Sequence, residues 1–509
     1  MFNRIFLVYL ANIFLQPFSM KKNITLLFLC LFANILLLNA QDVESPEFKN
    51  KIEYYYQPLG ASNGNIYYYD IIRIKDGIKI HVFKYKESTL ELLEEKDVYE
   101  KNIKPYVVNH KSKIFGYYKN NKYYFFYSVV HADEYNISMV TFDENFTNPK
   151  ETELDVIAET SSSLLGGFSV SLSPDCKSAI VALKNYNERK AEYIGITEKT
   201  ELIYVNLINQ TIVYKKFLPI EINGYHLKTK DLKTDNEGNI ALIATICDKL
   251  RLSADHKRIE VPIKGEGFGF LSKEDKDLKI KEFNLGNSLT ISSFFKQTKN
   301  GDLIYLADLS DNILMKVLST DKTKKLLEVS INKNDFVKTG SAGESLFAIT
   351  ESENGYFLNL ETGGWKHYVA FISKSGELKW NKELPMATSI YYNANGDNGT
   401  TSVCYNNKLI FFTTEHKPYE LTDRIQKKLI DIGARNAEYN NKNTNAIVFT
   451  LDESGHVDKR IIYDNEIYGS SNGNFGATTG NVNLFDDSNI FIMPILSPKL
   501  FRLNKIIIK

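Results

Sequence analysis

The chain has 509 residues, of which 43% are hydrophobic and 24% are charged, the proportions of an ordinary globular protein rather than of a disordered one. Its 62 Lys and Arg residues balance 62 Asp and Glu residues, and the formal net charge of +0 excludes a global electrostatic attraction to nucleic acid or anionic lipid. Beyond residue 40 no apolar run approaches the roughly 18 residues of a membrane-spanning helix, so we expect no transmembrane span in the mature chain.

The N-terminus has the pattern of a secretory signal peptide. A charged start at Met20-Lys21-Lys22 precedes an apolar segment, residues 24–40, which ends in the small residue Ala40. We place the natural start at Met20 and interpret residues 1–19 as an upstream extension. The alternative is a long uncleaved anchor, but Pro17 and the two lysines interrupt its apolar stretch.

These features predict a signal peptide over residues 1–40 and an exported chain, residues 41–509, that is periplasmic or secreted. Cys30 lies inside the apolar core of the signal, unlike a lipoprotein acylation site. The mature chain keeps three cysteines, which are widely spaced and odd in number, so they predict neither a disulfide framework nor a zinc site. One pair could still be oxidised after export, and the spacing does not choose among Cys176, Cys247 and Cys404.

Short β-branched and aromatic runs follow polar turns throughout the mature chain. Gly and Asn supply the positive φ that a tight turn needs, and the flanking runs suit a pleated strand. The turns that precede such runs lie near residues 64, 121, 176, 238, 301, 355, 407 and 488. Examples of the apolar runs that follow these turns are residues 66–72, 123–130, 179–183, 240–246, 303–306 and 409–413.

The spacing of these turns, roughly 52 to 81 residues, is close to the length of a propeller blade. A second hairpin often follows within the unit, as at Lys374-Ser375-Gly376-Glu377 and at Glu453-Ser454-Gly455-His456. The pattern predicts an all-β fold, a single β-propeller of seven or eight blades over residues 41–509. The alternatives are a solenoid or two stacked β-sandwich domains, but sandwiches show turns every 8 to 12 residues or so without the longer period.

The last interval between turns, from about residue 407 to residue 488, contains a segment with helical periodicity. Leu421, Ile425, Leu429 and Ile432 recur at helical intervals. We therefore predict a short helical insertion near residues 418–438, on one face of the last or second-last blade.

Two short motifs resemble those of known propeller families. Ser173-Pro174-Asp175-Cys176-Lys177-Ser178-Ala179-Ile180 resembles the SPDGK-type turn of Tol-system and WD-repeat-like propellers, with Cys176 where Gly is usual. Lys374-Ser375-Gly376-Glu377-Leu378-Lys379-Trp380 is similar to the G-x-x-x-W end of quinoprotein-type blades, a repeat also seen in outer-membrane assembly propellers. Each match covers fewer than ten residues and occurs once. The resemblance implies the architecture of an exported bacterial propeller and no particular function.

Motifs for chemistry are missing from the sequence. It contains no H-E-x-x-H metal site, no G-x-x-x-x-G-K-[ST] phosphate loop and no G-x-S-x-G nucleophile elbow. We therefore expect no cofactor and no metal, and we leave the catalytic residues unassigned. The candidate binding residues are aromatic, imidazole and guanidinium groups near the G-x-x-x-W motif or in the predicted helix: Trp365, His367, Trp380, Tyr419 and Arg424.

Two functions fit these observations. The first is an exported, non-catalytic propeller that binds an envelope protein, a glycan or another cell-envelope component across one face. The alternative is a secreted hydrolase or lyase acting on glycans, in which inner-strand carboxylates from several blades meet at the channel mouth. A cluster of Asp, Glu and His at that mouth would favour the enzyme, whereas an apolar or sealed mouth would disfavour it.

Overall fold

The computed structural model contains strands over most of the mature chain. It describes the following residues: 43–44, 48–49, 57–74, 77–102, 114–119, 121–131, 134–158, 165–188, 196–219, 221–222, 225–247, 251–252, 259–260, 263–275, 279–283, 290–298, 301–309, 311–319, 325–335, 345–361, 367–385, 401–416, 444–463, 483–485, 490–496, 500–506 and 508.

The strands follow one another along the chain, and the described residues add a single 3-10 turn, Lys333–Asp335. The first half contains β1 (Val43–Glu44), β2 (Phe48–Lys49), β3 (Gln57–Ser62), β4 (Asn65–Ile74), β5 (Gly77–Lys86), β6 (Leu92–Asn102), β7 (Ile114–Lys119), β8 (Lys122–His131), β9 (Glu134–Asp143), β10 (Lys150–Ala158), β11 (Leu165–Leu172), β12 (Ser178–Glu188), β13 (Ile196–Asn206), β14 (Thr211–Phe217), β15 (Glu221–Ile222), β16 (Tyr225–Thr234), β17 (Ile240–Cys247), β18 (Arg251–Leu252) and β19 (Ile259–Glu260). The second half contains β20 (Ile263–Leu271), β21 (Lys279–Phe283), β22 (Thr290–Gln297), β23 (Leu303–Leu309), β24 (Asn312–Leu318), β25 (Lys325–Asn332), β26 (Ser345–Glu351), β27 (Gly355–Glu361), β28 (His367–Ser373), β29 (Leu378–Glu383), β30 (Thr401–Tyr405), β31 (Lys408–His416), β32 (Thr444–Leu451), β33 (Val457–Tyr463), β34 (Asn483–Phe485), β35 (Ile490–Leu496) and β36 (Leu500–Ile506).

These strands form a β-propeller, with eight blades in the described part of the chain. Seven blades are antiparallel meanders of consecutive strands: β3–β6, β7–β10, β11–β14, β16–β17–β20–β21 with β15 added at its edge, β22–β25, β26–β29 and β30–β33. The eighth combines β34, β35 and β36 with the N-terminal strands β1 and β2. The prediction of an all-β propeller is therefore confirmed, and the described strands form eight blades.

The eighth blade joins the two ends of the chain. Val43 pairs with Lys505, and Phe48 pairs with Phe501, so the N-terminal strands supply the outer edge of a sheet whose other strands are C-terminal. Lys505 also binds Glu87 of blade 1, at 3.0 Å between Nζ and Oε1. The innermost strand of blade 8, β34, contacts the innermost strand of blade 1, β3. Blade 8 therefore lies beside blade 1 and completes the ring.

The second strand of each blade is hydrophobic on both faces because it lies between two neighbouring blades. In β8, Tyr123 and Phe125 pack against blade 1, whereas Tyr124 and Phe126 pack against blade 3. All four are buried. Strands with both faces covered have continuous apolar sequences, and these are the runs that the turn pattern marks. The aromatic clusters of β4 and β8 are therefore inter-blade packing rather than an exposed platform.

The antiparallel meander places two kinds of connection at opposite ends of the propeller. Connections from first to second and from third to fourth strands leave at one end, which we call the short-turn end; its longest connection in blades 1–7 is residues 272–278. Connections from second to third strands, and from one blade to the next, leave at the other end, which we call the long-connection end. Its longest connections are residues 384–400, 417–443 and 464–482.

The predicted turns near residues 64 to 407 are confirmed at the short-turn end. Each joins the first and second strands of one of blades 1–7. The second hairpins at residues 374–377 and 453–456 join the third and fourth strands of blades 6 and 7. The eighth predicted turn, Asp487-Ser488, and the predicted helix near 418–438 lie outside the described residues, and the range of the helix falls between β31 and β32 of blade 7.

Cys176 occupies a turn position where Gly is usual. Its N–H donates to the Ser173 carbonyl oxygen at 2.9 Å and its φ is 54°. Gly238 holds the same place in the turn of blade 4, with its N–H bonded to the Asp235 carbonyl and a φ of 91°. A left-handed conformation is strained for a residue with a Cβ and free for Gly.

We expect Cys176→Gly to raise the free energy of unfolding by about 0.5–1 kcal/mol, because relief of backbone strain exceeds the added chain entropy of Gly. Urea midpoints of the wild type, Cys176→Gly and Cys176→Ala measure this. The Ala variant keeps the strain and should show no gain. Equal stabilisation of both variants would show that loss of the Cys176 thiol, rather than relief of backbone strain, raises the free energy of unfolding.

Candidate functional site

Two of the five predicted binding residues lie in the described part of the chain, and both are in blade 6. His367 begins the third strand and Trp380 lies in the outermost strand. Trp365, Tyr419 and Arg424 lie outside the described residues, so their place in a site stays a prediction.

Trp380 packs between blades 6 and 7. Its ring stacks on Phe371, with centroids 6.0 Å apart and an interplanar angle of 20°. Its indole Nε1 donates to the Glu453 carbonyl oxygen of blade 7 at 2.8 Å. A Cβ at Gly455 would lie 3.1 Å from the indole, so glycine permits the close approach of the next blade. These contacts give Trp380 a part in joining two blades.

His367 is buried against blade 7. It is 2% exposed, and its ring centroid lies 5.5 Å from that of Phe411. Desolvation disfavours the imidazolium form and lowers the pKa of His367 to about 4. His367 is therefore neutral at pH 7.

Burial of a neutral imidazole makes stability depend on pH. In the unfolded chain His367 takes up a proton below its ordinary pKa of 6.5, whereas in the folded protein it does so only near pH 4. The free energy of unfolding therefore falls as the pH drops from 6.5 towards 4. We expect His367 to account for a loss of about 2 kcal/mol between pH 7 and pH 5. Urea unfolding of the wild type and His367→Leu at both pH values measures it. An identical pH dependence in the variant would contradict the buried, neutral histidine.

Charged side chains on the innermost strands concentrate at blades 4 and 5. The innermost strand of each blade lines the central channel of a propeller. Lysines in the described inner strands are Lys119 in blade 2, Lys228, Lys230 and Lys233 in blade 4, and Lys296 in blade 5. The carboxylates there are Asp231 and Glu351, together with Glu221 of the added strand β15.

Lys230 is held by two buried partners from different blades. Its ammonium donates to Ser293 Oγ at 2.8 Å and lies 3.5 Å from Glu266 Oε2. The Ser293 hydroxyl in turn donates to Glu266 Oε1. Glu266 is 3% exposed and Ser293 6%, whereas the Lys230 side chain keeps 34% of its exposure. Lys230 therefore has a fixed head group beside the channel.

Asp231 joins the same two inner strands. Its Oδ2 accepts the N–H of Phe295 in blade 5 at 2.9 Å, and its Oδ1 accepts the N–H of Leu232 at 2.7 Å. Lys233 approaches Oδ1 at 3.4 Å. Asp231 thus fixes the register between blades 4 and 5 and is largely occupied by backbone donors.

The serine in this cluster is shielded from solvent. Ser293 is 6% exposed, and its hydroxyl donates a hydrogen bond to the Glu266 carboxylate. Lys230, Ser293 and Glu266 therefore form one hydrogen-bonded cluster that joins blades 4 and 5.

Motif searching of the sequence missed this cluster. Once the fold is assigned as a propeller, the strand that precedes the first turn of each blade is the innermost strand of that blade. The lysines that precede the turns at residues 235–239 and 299–302 could then have been placed on the channel wall. The bonds from Lys230 to Ser293 and from Phe295 to Asp231 depend on the contact between β16 and β22, about 60 residues apart, which no local pattern contains.

No group of three or more His, Cys, Asp and Glu side chains could hold a metal ion in the described ranges. Across those same ranges, no helix has the length and apolar character needed to cross a membrane. The described cysteines Cys176, Cys247 and Cys404 lie in three different blades and form no disulfide with one another.

Solved structures share the fold at 9% sequence identity. The Dos1 propeller gives a TM-score of 0.45 over 92% of this chain and 96% of its own. The β-propeller domain of the Trilobed protease from Pyrococcus furiosus, described as having an open velcro topology, gives 0.36 over 80% and 97%. The NanB sialidase from Streptococcus pneumoniae gives 0.36 over 93% and 96%. No protein-family model and no curated protein sequence matches the chain. The strand topology confirms the propeller fold, and the resemblance to Tol-system, WD-repeat-like and quinoprotein-type propellers stays a prediction.

Proposed function

We propose that the chain is an exported, non-catalytic β-propeller that binds a protein or another cell-envelope component at its long-connection end. The observation that carries this proposal is the grouping of its longest connections. Residues 384–400, 417–443 and 464–482 all leave strand ends at one end of blades 6, 7 and 8. Long connections on a rigid scaffold are where propellers and similar folds place binding residues.

Three of the predicted binding residues belong to connections of blades 6 and 7. Tyr419 and Arg424 belong to the connection within blade 7, and Trp365 belongs to the connection 362–366 of blade 6. The strand ends that flank these two connections, at Glu361, His367, His416 and Thr444, lie at the long-connection end. The proposal therefore assigns the partner-binding surface to one sector of one end, while the buried His367 and the inter-blade Trp380 support the blades beneath it.

The non-catalytic part of the proposal is supported by the carboxylates of the described innermost strands. A glycan hydrolase needs two carboxylates facing each other across the substrate. In the described inner strands, Asp231 is bonded to backbone amides of blades 4 and 5. Glu351 is bonded to Lys374. The secreted hydrolase or lyase remains the alternative, and no specific observation favours it.

Deleting residues 418–438 should abolish capture of the partner without unfolding the propeller. The segment lies between two paired strands whose ladder is formed by residues outside it, from Leu409↔Leu451 to His416↔Thr444. We would cross-link tagged residues 41–509 in native envelope extracts and identify the captured proteins by mass spectrometry. A stoichiometric partner with the wild type and none with the deletion variant is the expected result.

The deletion variant must first be shown to be folded. Its melting temperature and circular dichroism spectrum should match those of the wild type. Capture that survives in this folded variant would rule out the insertion as the docking element. No stoichiometric partner with the wild type would contradict binding to an envelope protein, and glycans and small ligands would be tested next.

A further inference from the structure

Among the described strands, the outermost strands of four blades share a β-bulge close to their first residue. In β6, β14, β25 and β29 the pairing with the neighbouring strand skips one residue, and the extra residues are Leu93, Val213, Leu326 and Lys379. A bulge sets two residues of one strand against one residue of its partner, so it changes which residues share a face of the sheet. Its recurrence makes it a feature of the blade repeat rather than a local irregularity.

The residue three positions after each bulge faces the following blade. In blade 3, Lys216 is paired with Leu202, which packs against blade 4. In blade 6, Lys382 is paired with Val369, which packs against blade 7. Directly paired residues of antiparallel strands lie on the same face of the sheet. The four residues placed in this way are Lys96, Lys216, Val329 and Lys382.

Lys216 makes the most extensive contact with the next blade. Its ammonium donates to the carbonyl oxygen of Ser272 at 3.3 Å and to that of Asp275 at 2.9 Å. It also donates to the carbonyl oxygen of Lys273. All three acceptors lie in the turn 272–278, which joins the third and fourth strands of blade 4. An ammonium group has three N–H donors, and this turn supplies an acceptor for each of them.

The equivalent lysines of blades 1 and 6 bind the equivalent turns. Lys96 donates to the Asn145 carbonyl oxygen at 3.4 Å, and its ammonium lies 5.5 Å from the centroid of the Phe146 ring. Asn145 and Phe146 lie in the turn 144–149, between the third and fourth strands of blade 2. Lys382 donates to the Gly455 carbonyl oxygen, in the turn 452–456 of blade 7.

Blade 5 makes the corresponding contact without a lysine. A Cβ built on Gly376, in the turn 374–377 of blade 6, would lie 2.9 Å from Val329 Cγ2. Glycine therefore lets this turn approach the outermost strand of blade 5. The place of the contact is the same in all four pairs of blades, and the contact is polar where the residue is lysine.

We propose that each of these bulges directs a clasp, in which the side chain three positions further on binds the turn between the third and fourth strands of the next blade. The clasps join blades 1 and 2, 3 and 4, 5 and 6, and 6 and 7 at the short-turn end. This device goes beyond the proposed function, since it lies away from the long connections and requires no partner.

A clasp should suppress local opening of the turn that it binds. Local openings expose backbone amides to solvent without unfolding the whole chain. Two of these turns contain an amide that reports on such an opening. The Asp275 N–H donates to the Ser272 carbonyl oxygen at 3.1 Å, and the Gly455 N–H donates to the Asp452 carbonyl oxygen at 3.0 Å.

Hydrogen–deuterium exchange of the full mature chain, followed by mass spectrometry at pH 7, tests the clasps with Lys216→Met and Lys382→Met. Methionine keeps an apolar stem and removes the ammonium group. We expect exchange in residues 272–278 to become faster by about tenfold or more in Lys216→Met, the effect of losing a hydrogen bond to a charged group. Residues 452–456 should exchange as in the wild type. Lys382→Met should give the reverse pattern.

Lys215→Met is the matched control. Lys215 lies in the same strand as Lys216 but binds Asp155 of blade 2, at 3.0 Å between Nζ and Oδ1. This variant should leave both turns unchanged. Unchanged exchange in the contacted turn of either clasp variant would overturn the proposal. Equal acceleration of both turns in each variant, or acceleration of residues 272–278 in Lys215→Met, would show a general loss of stability and would also overturn it.

Lys96→Met provides an independent third case, because residues 144–149 should then exchange faster while the other two turns do not. Circular dichroism of every variant should match that of the wild type, which separates a loosened turn from a misfolded chain. Failure of Lys96→Met to loosen residues 144–149 would contradict a clasp that recurs from blade to blade.

Discussion

Replacing Lys333 by Met should destabilise the propeller by about 3–5 kcal/mol, the cost of leaving a buried charge without its partner. Lys333 Nζ lies 2.7 Å from Asp308 Oδ1, and the two side chains keep only 6% and 0% of their exposure. The pair joins the second strand of blade 5 to the turn that follows its outermost strand. Urea unfolding of the wild type and Lys333→Met at pH 7 measures the loss.

The double variant Asp308→Leu with Lys333→Met is the matched control. Replacing a whole buried ion pair by apolar side chains is often close to neutral, since both desolvation costs disappear with the attraction. We therefore expect the double variant to recover most of the lost stability. A loss below about 1 kcal/mol in Lys333→Met alone would mean that water reaches the pair in solution.

Gly355→Ala should cost about 3 kcal/mol, at the upper end of overpacking effects. Gly355 begins the second strand of blade 6 and pairs with Ser373. A Cβ at this position would overlap the Ile372 carbonyl oxygen and lie 2.6 Å from Phe371 Cζ. The obstacle includes backbone of the neighbouring strand, which cannot move aside without breaking the ladder.

Gly265→Ala is the control within a strand. Gly265 also lies in a paired strand, opposite Ile246, but nothing lies within 4 Å of a Cβ built there. Relief of the Gly entropy cost should make this variant as stable as the wild type or more stable by up to about 1 kcal/mol. Differential scanning calorimetry of both variants compares them directly. Similar losses in both would contradict the close approach at Gly355.

The blade repeat could be predicted from the sequence because the first turn of each blade requires particular residue types. A tight turn before a strand that is buried on both faces leaves a polar, Gly- or Asn-containing signal followed by an apolar run. The number of blades could not be decided in the same way. Blade 8 takes its outer edge from the two-residue strands Val43–Glu44 and Phe48–Lys49, which are too short to leave a pattern.

The candidate sites depend on contacts that local patterns do not contain. His367 resembles an exposed loop histidine in the sequence, and its burial comes from Phe411 of the next blade. The head group of Lys230 is fixed by Ser293, 63 positions away. The surroundings of both residues therefore follow from how the blades pack, which the repeat alone does not specify.

Site-specific photo-crosslinking tests the proposed partner surface most directly. A photoreactive side chain would replace Tyr419, in the connection of blade 7 at the long-connection end, and in a separate variant Asn121, in a turn of blade 2 at the short-turn end. After irradiation in native envelope extracts, we expect a stoichiometric adduct from position 419 and none from position 121. An adduct from position 121 alone, or from neither position, would contradict a propeller that binds its envelope partner through its long connections.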